Sequence, residues 1–301
     1  MGERIKVAVI GTGNIGTDLC ARMLLDPKFE VVAFAGRRAD SPGLLMFNGK
    51  IPHIISNGID GLLEIADYFD GFFDATSAYD HLQHWEKLSG LGKWAIDLTP
   101  SQVGHAMVPE LIGSVARFKL QDNAQANYSM ITCGGQSSAP LVFAMAKNCK
   151  DIAEVEISSS IAAKSAGPAT RRNIDQYINS TENLVTTITD CQKVKAILVL
   201  NPAEPPVMMR TTVQMKVKDC NLQAVIKDLE EVMGRITKYV PGYEVVVAPH
   251  FSSSGVVSGT VKVTGAGYVL PTYAGNLDII NAAAVETAKK HVENQYLAKA
   301  L

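Results

Sequence analysis

The sequence predicts an α/β protein that begins with a Rossmann-type, doubly wound parallel sheet and continues into an α+β part with a mixed sheet. Two observations support this fold class. Strand-like apolar runs alternate with helical patterns in the first part of the 301-residue chain, which is typical of parallel sheets. In the second part, β-rich segments follow one another with fewer helices between them, so we expect a mixed sheet there.

The first part of the chain contains four candidate strands. The runs at residues 6–10 and 29–35 are apolar and rich in β-branched residues, and shorter runs follow at residues 72–75 and 94–97. A helical pattern at residues 17–25 separates the first two runs. Short, continuous apolar runs are typical of strands that are buried on both faces of a sheet.

The second part contains five candidate strands, which lie at residues 153–160, 195–200, 207–217, 245–248 and 256–263. An alanine-rich, amphipathic stretch at residues 281–301 ends the chain. We expect it to form a helix that returns to pack on the first domain. The predicted domains are residues 1–132 with 277–301, and residues 133–276.

Composition favours small-molecule chemistry in the cytoplasm. The net charge is −2, from 28 basic and 30 acidic residues without long runs of one sign, so we expect neither a nucleic-acid partner nor a membrane surface. Five cysteines without a CxxC pair argue against a disulfide framework or a zinc site. No apolar run approaches the roughly 20 residues of a membrane span.

A glycine motif follows the first predicted strand and opens a helix. In Gly11, Thr12, Gly13, Asn14, Ile15 and Gly16, the first glycine permits a tight turn, the second lets the backbone approach a pyrophosphate, and the third allows close helix packing. Because the helix amino terminus attracts phosphates, the motif predicts a dinucleotide site. A structural glycine turn is the alternative interpretation.

Two arginines follow the second predicted strand and bear on the cofactor. An acidic side chain at this point accepts hydrogen bonds from a ribose 2′-hydroxyl, whereas an arginine suits a 2′-phosphate. The chain has Arg37 and Arg38 there. NADP is therefore favoured over NAD, unless the two arginines are simply solvated loop residues.

Cys133 is the candidate nucleophile. It precedes Gly134 and Gly135 in the kind of loop-to-helix turn where backbone amides lower a thiol pKa from about 8.5 and stabilise an oxyanion. A thiolate beside a hydride acceptor adds to an aldehyde, and loss of hydride leaves a thioester for a second nucleophile. The alternative is a small buried side chain, which is how we interpret the other four cysteines.

Seven motifs together resemble one enzyme family, the acylating acetaldehyde dehydrogenases, which interconvert acetaldehyde plus coenzyme A with acetyl-coenzyme A. The resemblance runs from the first strand to the last helix. Its motifs are Gly11-Thr-Gly-Asn-Ile-Gly-Thr-Asp-Leu19, Asp74-Ala-Thr-Ser-Ala78, Ile96-Asp-Leu-Thr-Pro100, Thr132-Cys-Gly-Gly-Gln136, Lys164-Ser-Ala-Gly-Pro168, Asn201-Pro-Ala-Glu-Pro-Pro206 and Tyr273-Ala-Gly-Asn-Leu-Asp278.

The resemblance implies roles for individual residues. Cys133 would carry the acyl thioester, with Gly134 and Gly135 on the oxyanion side, and Asn276 would lie near the nicotinamide. A second cofactor-contacting segment would comprise Ser165, Ala166, Gly167, Pro168, Ala169, Thr170, Arg171, Arg172 and Asn173. The resemblance further implies that residues 1–132 with 277–301 bind the dinucleotide and that residues 133–276 form an inserted domain for catalysis, the substrate and dimerisation. It also implies coenzyme A as co-substrate, a homodimer, and 4-hydroxy-2-oxovalerate aldolase as a partner.

The chain departs from the family pattern at three places. Arg37 stands where family members commonly have an acidic residue. Thr211 follows Met209-Arg210 where the family usually has an aspartate near the cysteine, so activation of the thiol must rely on other groups or be weaker. The stretch between Tyr243 and Tyr268 is shorter than usual in the family. Because this region can shape the substrate side of the site, both the substrate and any partner protein are exposed to that change.

Other functions fit the same residues. A phosphorylating semialdehyde dehydrogenase or a reductase of a larger acyl thioester would use the same cysteine, and a non-catalytic nucleotide-binding subunit would not need it. Lys164, Arg171 and Arg172 suit the phosphates of a cofactor or of coenzyme A, or form a solvated helix start. Asp97 and Glu204 lie in family motifs, although a capped turn or an ion pair explains them equally well.

Overall fold

A computed structural model describes residues 4–122 and 125–299. Its first sheet has seven strands in the order β3-β2-β1-β4-β5-β7-β6, and all of its neighbouring strands pair in parallel. The strands are β1 (Ile5–Ile10), β2 (Phe29–Ala35), β3 (His53–Ile55), β4 (Gly71–Asp74), β5 (Trp94–Asp97), β6 (His105–Met107) and β7 (Asn127–Met130). The predicted Rossmann-type sheet is confirmed.

The strand order changes direction between β1 and β4. In such sheets the loops at the carboxyl ends of these two strands diverge and leave a crevice for a ligand. Residues 11–16 follow β1 at this point, and residues 75–77 follow β4. The topology therefore locates the candidate site before any side chain is considered.

The second sheet has five strands in the order β10-β9-β11-β14-β13. The β9 and β10 strands pair in parallel and the other neighbours pair antiparallel, so the predicted mixed sheet is also confirmed. A separate two-stranded sheet pairs β8 with β12. The strands are β8 (Cys149–Lys150), β9 (Glu154–Ala162), β10 (Val194–Asn201), β11 (Met209–Lys216), β12 (Asp219–Cys220), β13 (Tyr243–Phe251) and β14 (Val256–Val263).

The helices cover both faces of the first sheet and one face of the second. They are α1 (Asn14–Leu24), α2 (Pro42–Phe47), α3 (Ile59–Glu64), α4 (Ala78–Ser89), α5 (Cys133–Asn148), α6 (Pro168–Arg172), α7 (Ile174–Thr189), α8 (Leu222–Ile236) and α9 (Gly275–Lys299). The α5, α7 and α8 helices pack on the five-stranded sheet. Its other face carries half-buried and exposed side chains such as Gln214 and Ser258, and no element of the described chain covers it.

The α9 helix joins the two halves of the molecule. Ala283, Ala284 and Ala288 pack in the core beneath the parallel sheet, whereas Ile279 and Ala282 pack in the core of the second sheet. The helix does return to the first sheet, as expected, but it begins before residue 281 and is surrounded by protein along its first half. Its many alanines allow this close approach on several sides.

The strands that sequence patterns missed are short or polar. The three-residue strands β3 and β6 lack the length that a pattern needs, and β7 reads Asn-Tyr-Ser-Met. Among the described residues, no helix combines the length and apolar character that crossing a bilayer requires.

Candidate active site

A cavity of about 680 Å³ lies at the carboxyl edge of the parallel sheet, between the two halves of the molecule. Its walls come from the α1 start, from the turns after β4 and β5, from the start of α5, from α7 and from the start of α9. The predicted site residues that line it are Ile15, Cys133, Thr170, Asn173 and Asn276. The fold thus brings together residues that are far apart in the sequence.

The glycine motif forms an open helix start beside this cavity. Gly11 adopts φ +108°, and a Cβ there would lie 2.5 Å from the carbonyl oxygen of Ala75, so only glycine fits between the turns after β1 and β4. Gly13 precedes α1 without providing a side-chain cap, and Gly13 and Asn14 are exposed. The first amides of α1 are therefore available for an anion.

Cys133 lies at the start of α5, directly after the N-cap residue Thr132. The Thr132 hydroxyl accepts a hydrogen bond of 2.9 Å from the Gly135 amide, so that amide already has a partner in the cap. The amides of Cys133 and Gly134 contact the thiol. The oxyanion role predicted for both glycines therefore fits Gly134 better than Gly135.

The surroundings of the thiol oppose its ionisation. Although Cys133 is partly exposed to the cavity, burial raises the pKa of its thiol to about 11, against the hydrogen bonds from Tyr177 and the Gly134 amide that lower it. This outcome differs from the lowered pKa expected for a cysteine at a helix start. Desolvation has the larger effect here because the apolar core of the second sheet reaches the cysteine.

The hydroxyl group of Tyr177, on α7, lies beside the Cys133 thiol. Its hydroxyl is buried without a hydrogen bond of regular geometry, yet it interacts with the Cys133 thiol and the Ser159 hydroxyl. A Cβ on Gly134 would lie 1.9 Å from this hydroxyl. Gly134 is therefore required for the tyrosine to reach the thiol, and burial raises the pKa of Tyr177 well above its usual value.

A line of buried hydroxyl groups continues from Tyr177. Ser159 on β9 lies opposite Thr211 on β11 in the sheet register, and their hydroxyl oxygens are 3.0 Å apart. Thr211 is also 2.7 Å from the Ser137 hydroxyl on α5. Thr211 thus bridges two serines near the cysteine.

Asn276 lines the cavity from the first turn of α9. Its side chain is buried, and its Oδ1 atom has no hydrogen-bond partner. A buried amide oxygen without a partner costs about 1–3 kcal/mol, so this atom is suited to accept a hydrogen bond. The role beside a nicotinamide that the resemblance implies for Asn276 stays a prediction.

The second predicted cofactor segment is only partly at the cavity. Thr170 and Asn173 line it, but the Arg171 guanidinium donates to the backbone carbonyls of Ala163 and Ala166. The Lys164 ammonium group pairs with Glu204. Glu204 therefore forms an ion pair, which was one of the two interpretations of this residue. Lys164 and Arg171 are both engaged within the protein.

The two arginines after β2 differ in their partners. Arg38 makes two hydrogen bonds with the carboxylate of Asp40, at 2.9 and 3.1 Å. Arg37 is 83% exposed and lies 3.8 Å from Asp80. Gly36, which precedes it, faces Thr12 of the glycine motif. Arg37 is thus the freer of the two cations beside the glycine motif.

A buried ionic cluster supports the turns under the cavity, and sequence reasoning missed it. Asp74 at the end of β4 accepts hydrogen bonds from His81 (3.0 Å) and His84 (2.8 Å) on α4. Burial raises the pKa of Asp74, but the two histidine hydrogen bonds outweigh it and lower that pKa to about 2. Asp97 at the end of β5 caps the Thr99 amide. The spacing of the two histidines on one helix face was the available signal.

Comparisons with known proteins identify one family of similar sequences. A family model described as the dimerisation region of prokaryotic acetaldehyde dehydrogenase matches residues 133–271. Acetaldehyde dehydrogenase from Pectobacterium atrosepticum is 42% identical over 285 residues, covering 95% of both chains. The enzyme of the same name from Spirochaeta aurantia is 43% identical, covering 96% of this chain and 95% of its own.

A solved structure supports the fold. Aspartate semialdehyde dehydrogenase II from Vibrio cholerae, complexed with ASA, superimposes with a TM-score of 0.66 over 97% of this chain and 99% of its own, at 14% identity. The sequence relatives confirm the resemblance seen in the motifs and the aldehyde dehydrogenase class of oxidoreductase. The chain belongs to the acetaldehyde dehydrogenase family.

Proposed function

We propose that this protein is a reversible acylating aldehyde dehydrogenase, which converts a short aldehyde such as acetaldehyde, coenzyme A and NAD(P)⁺ into the acyl-coenzyme A and NAD(P)H. The observation that carries the proposal is the cavity that Cys133 shares with Ile15 of the glycine motif and with Asn276. A nucleophile and the elements expected to hold a nicotinamide therefore face the same space.

The residues present fit a nicotinamide dinucleotide. The uncapped start of α1 suits its pyrophosphate, and the unpartnered Oδ1 atom of Asn276 suits a carboxamide. When bound, the nicotinamide supplies a hydride acceptor in the oxidative direction. We assign NADP as the preferred form, because Arg37 is exposed and only weakly paired, whereas Arg38 is engaged by Asp40.

Cys133 provides the covalent chemistry in this proposal. Its sulfur adds to the aldehyde carbonyl carbon, and the thiol proton ends on the carbonyl oxygen, which gives a thiohemiacetal. Loss of hydride from the carbon and of the proton from the oxygen leaves a thioester on Cys133. The thiol of coenzyme A then attacks the thioester carbonyl, the acyl group leaves with coenzyme A, and the cysteine recovers a proton.

Tyr177 and the Gly134 amide support Cys133 during these steps. The tyrosine hydroxyl can donate to the sulfur as it loses its proton, since the two groups already interact. The Gly134 amide lies beside the thiol at the helix start, where a developing oxyanion is stabilised. Ser159 interacts with the tyrosine hydroxyl, and Thr211 is hydrogen-bonded to Ser159, so both act as positioning residues.

The decisive experiment assays the purified protein with NADH or NADPH against a panel of acyl-coenzyme A thioesters. We expect reduction of short acyl groups, and we expect Cys133→Ala to lower kcat/KM at least about 10⁴-fold. The buried Cys191, in the core of the second sheet, provides the control variant Cys191→Ala, which should keep its activity. Aldehyde oxidation that required phosphate in place of coenzyme A would instead support a phosphorylating semialdehyde dehydrogenase.

We propose that residues 1–132 with 277–301 bind the cofactor and that residues 133–276 carry catalysis and form the homodimer. The match of residues 133–271 to a dimerisation region supports the second assignment, and the uncovered face of the five-stranded sheet is the candidate contact surface. Gln214→Glu together with Ser258→Glu would place like charges in that surface. We expect this variant to elute as a monomer in size-exclusion chromatography with light scattering.

The aldolase partner rests on the family resemblance alone and stays a prediction. Co-purification of the tagged protein with 4-hydroxy-2-oxovalerate aldolase tests it directly. We expect a complex that survives gel filtration, and two separate peaks at micromolar concentrations would argue against it.

A further inference from the structure

Two cysteines outside the active site face each other across the small sheet. Cys149 on β8 and Cys220 on β12 are partners in its antiparallel register, and their sulfur atoms are 2.7 Å apart. Both are free thiols, and both are partly exposed to solvent. They are separated by 71 positions in the sequence, so only the fold brings them together.

The local backbone suits a disulfide bond. The Asn221 amide donates to the Asn148 carbonyl, which makes Cys149 and Cys220 the non-hydrogen-bonded pair of the ladder. In such pairs the Cα atoms lie about 4.5 Å apart and the side chains approach most closely. Disulfides form at Cα separations of about 4.4–6.8 Å, so the bond requires little movement of the backbone.

The two segments are also held together by contacts that do not involve sulfur. Asp228 on α8 accepts hydrogen bonds from Lys147 (3.0 Å) and from Asn148 (2.6 Å), which end the α5 helix. The Lys218 amide donates to the Lys150 carbonyl. The thiols are therefore kept adjacent, and closing the bond costs little further conformational entropy.

We propose that Cys149 and Cys220 form a reversible disulfide, a modification site separate from the catalytic cysteine. The oxidant is a low-molecular-weight disulfide such as oxidised glutathione. The Cys149 thiolate attacks one glutathione sulfur, which forms a mixed disulfide and releases one glutathione thiolate. The deprotonated Cys220 sulfur then attacks the Cys149 sulfur and releases the second glutathione. Two protein thiols are oxidised and one glutathione disulfide is reduced.

The bond would join the end of the catalytic helix to the start of another. Cys149 directly follows α5, which begins at Cys133, and Cys220 precedes Asn221, the N-cap of α8. A cross-link over a loop of this length restricts the unfolded chain and stabilises the folded one. Burial raises the pKa of Cys149 above its usual value, and the neighbouring Cys220 raises it further, so we expect the first exchange step to be slow at neutral pH.

The test uses the full chain with Cys133→Ala, so that the active-site thiol does not react. The protein is equilibrated in glutathione buffers of increasing oxidation, free thiols are then alkylated with iodoacetamide, and peptides are analysed by mass spectrometry. We expect one cross-linked peptide pair that joins Cys149 to Cys220, and a melting temperature several degrees higher than that of the reduced protein. Dithiothreitol should reverse both changes.

The variants separate a disulfide from a simple contact. Adding Cys149→Ser should leave Cys220 as a stable mixed disulfide with glutathione and abolish the rise in melting temperature, and Cys220→Ser should do the same for Cys149. Adding Cys191→Ser provides the control and should still allow the cross-link. Full alkylation of both Cys149 and Cys220 after equilibration with excess oxidised glutathione would overturn the proposal. Glutathione adducts on these two cysteines that do not convert into the Cys149–Cys220 cross-link would also overturn it.

Discussion

Two helices begin at the edge of the same cavity, and they differ in whether a side chain caps the backbone amides of the first turn. The α1 helix starts after Gly13 without a side-chain cap and is exposed. The α5 helix starts after Thr132, whose hydroxyl caps the turn, and Cys133 in that turn lines the cavity but is largely removed from solvent by the second sheet. A helix start is therefore suited to a phosphate or to a neutral thiol according to its surroundings and not according to its dipole alone.

The largest expected effect concerns the ionisation of Cys133. Burial raises the pKa of the Cys133 thiol to about 11. At pH values below this pKa, the thiolate fraction therefore grows about tenfold with each unit by which the pH rises, or roughly 1000-fold from pH 7 to pH 10. We expect the alkylation rate of Cys133 by iodoacetamide to rise over this whole range, as measured by peptide mass spectrometry. A plateau below pH 8 would mean that the α5 start lowers the thiol pKa after all.

Removing the Tyr177 hydroxyl should raise the pKa of the Cys133 thiol further and so increase the difference between the two helix starts. Tyr177→Phe eliminates a group that lowers the pKa of Cys133, so we expect kcat/KM to fall about 10- to 100-fold and the alkylation profile to shift to higher pH. Tyr128→Phe is the matched control, because that hydroxyl is bound to His291 and the Gln121 amide away from the cavity. Unchanged thiol reactivity in Tyr177→Phe would exclude the tyrosine as a partner of the sulfur.

A smaller effect, on cofactor preference, is expected from Arg37, which follows β2 beside the glycine motif. Arg37→Asp should shift the ratio of kcat/KM for NADPH over NADH toward NADH by about tenfold, since one charge-assisted contact at an exposed site is lost. Arg4→Asp removes another exposed arginine, which pairs with Glu30, and should leave the ratio unchanged. An unaltered ratio in Arg37→Asp would remove this arginine from the cofactor site.

The smallest effect is expected from the hydroxyl line behind the tyrosine. Thr211→Val keeps the shape of the side chain but removes the partner of Ser137 and Ser159, and we expect kcat to fall severalfold. If Thr211 acts through Tyr177, the same substitution should have little further effect in Tyr177→Phe. Simple additivity of the two changes would show that the threonine acts independently.

The sequence predicted the two sheets well because their signals are local. Strands β2, β5 and β14 end where the apolar and alternating patterns end. Polar or very short strands such as β7 were missed because burial on a parallel sheet, and not their own composition, makes them strands. The α9 start also lay outside its pattern, since its first residues are buried from several sides.

The candidate site divides in the same way. The glycine motif, the cysteine turn and the family resemblance were evident from short segments, because tight turns and helix starts depend on neighbouring residues. The partners of the cysteine were not: Tyr177 lies on a different helix, and Thr211 and Ser159 lie on adjacent strands. No spacing in the sequence predicts these contacts.

The sequence by itself singled out Cys133 as the candidate nucleophile and residues 11–16 as the candidate dinucleotide turn. Only the tertiary structure shows the burial that raises the pKa of its thiol. Burial by the second sheet, the approach of Tyr177 over Gly134, and the threonine that bridges two serines all depend on contacts between distant segments. A thiol pKa is governed by desolvation and by neighbouring dipoles, and both are properties of the packed molecule.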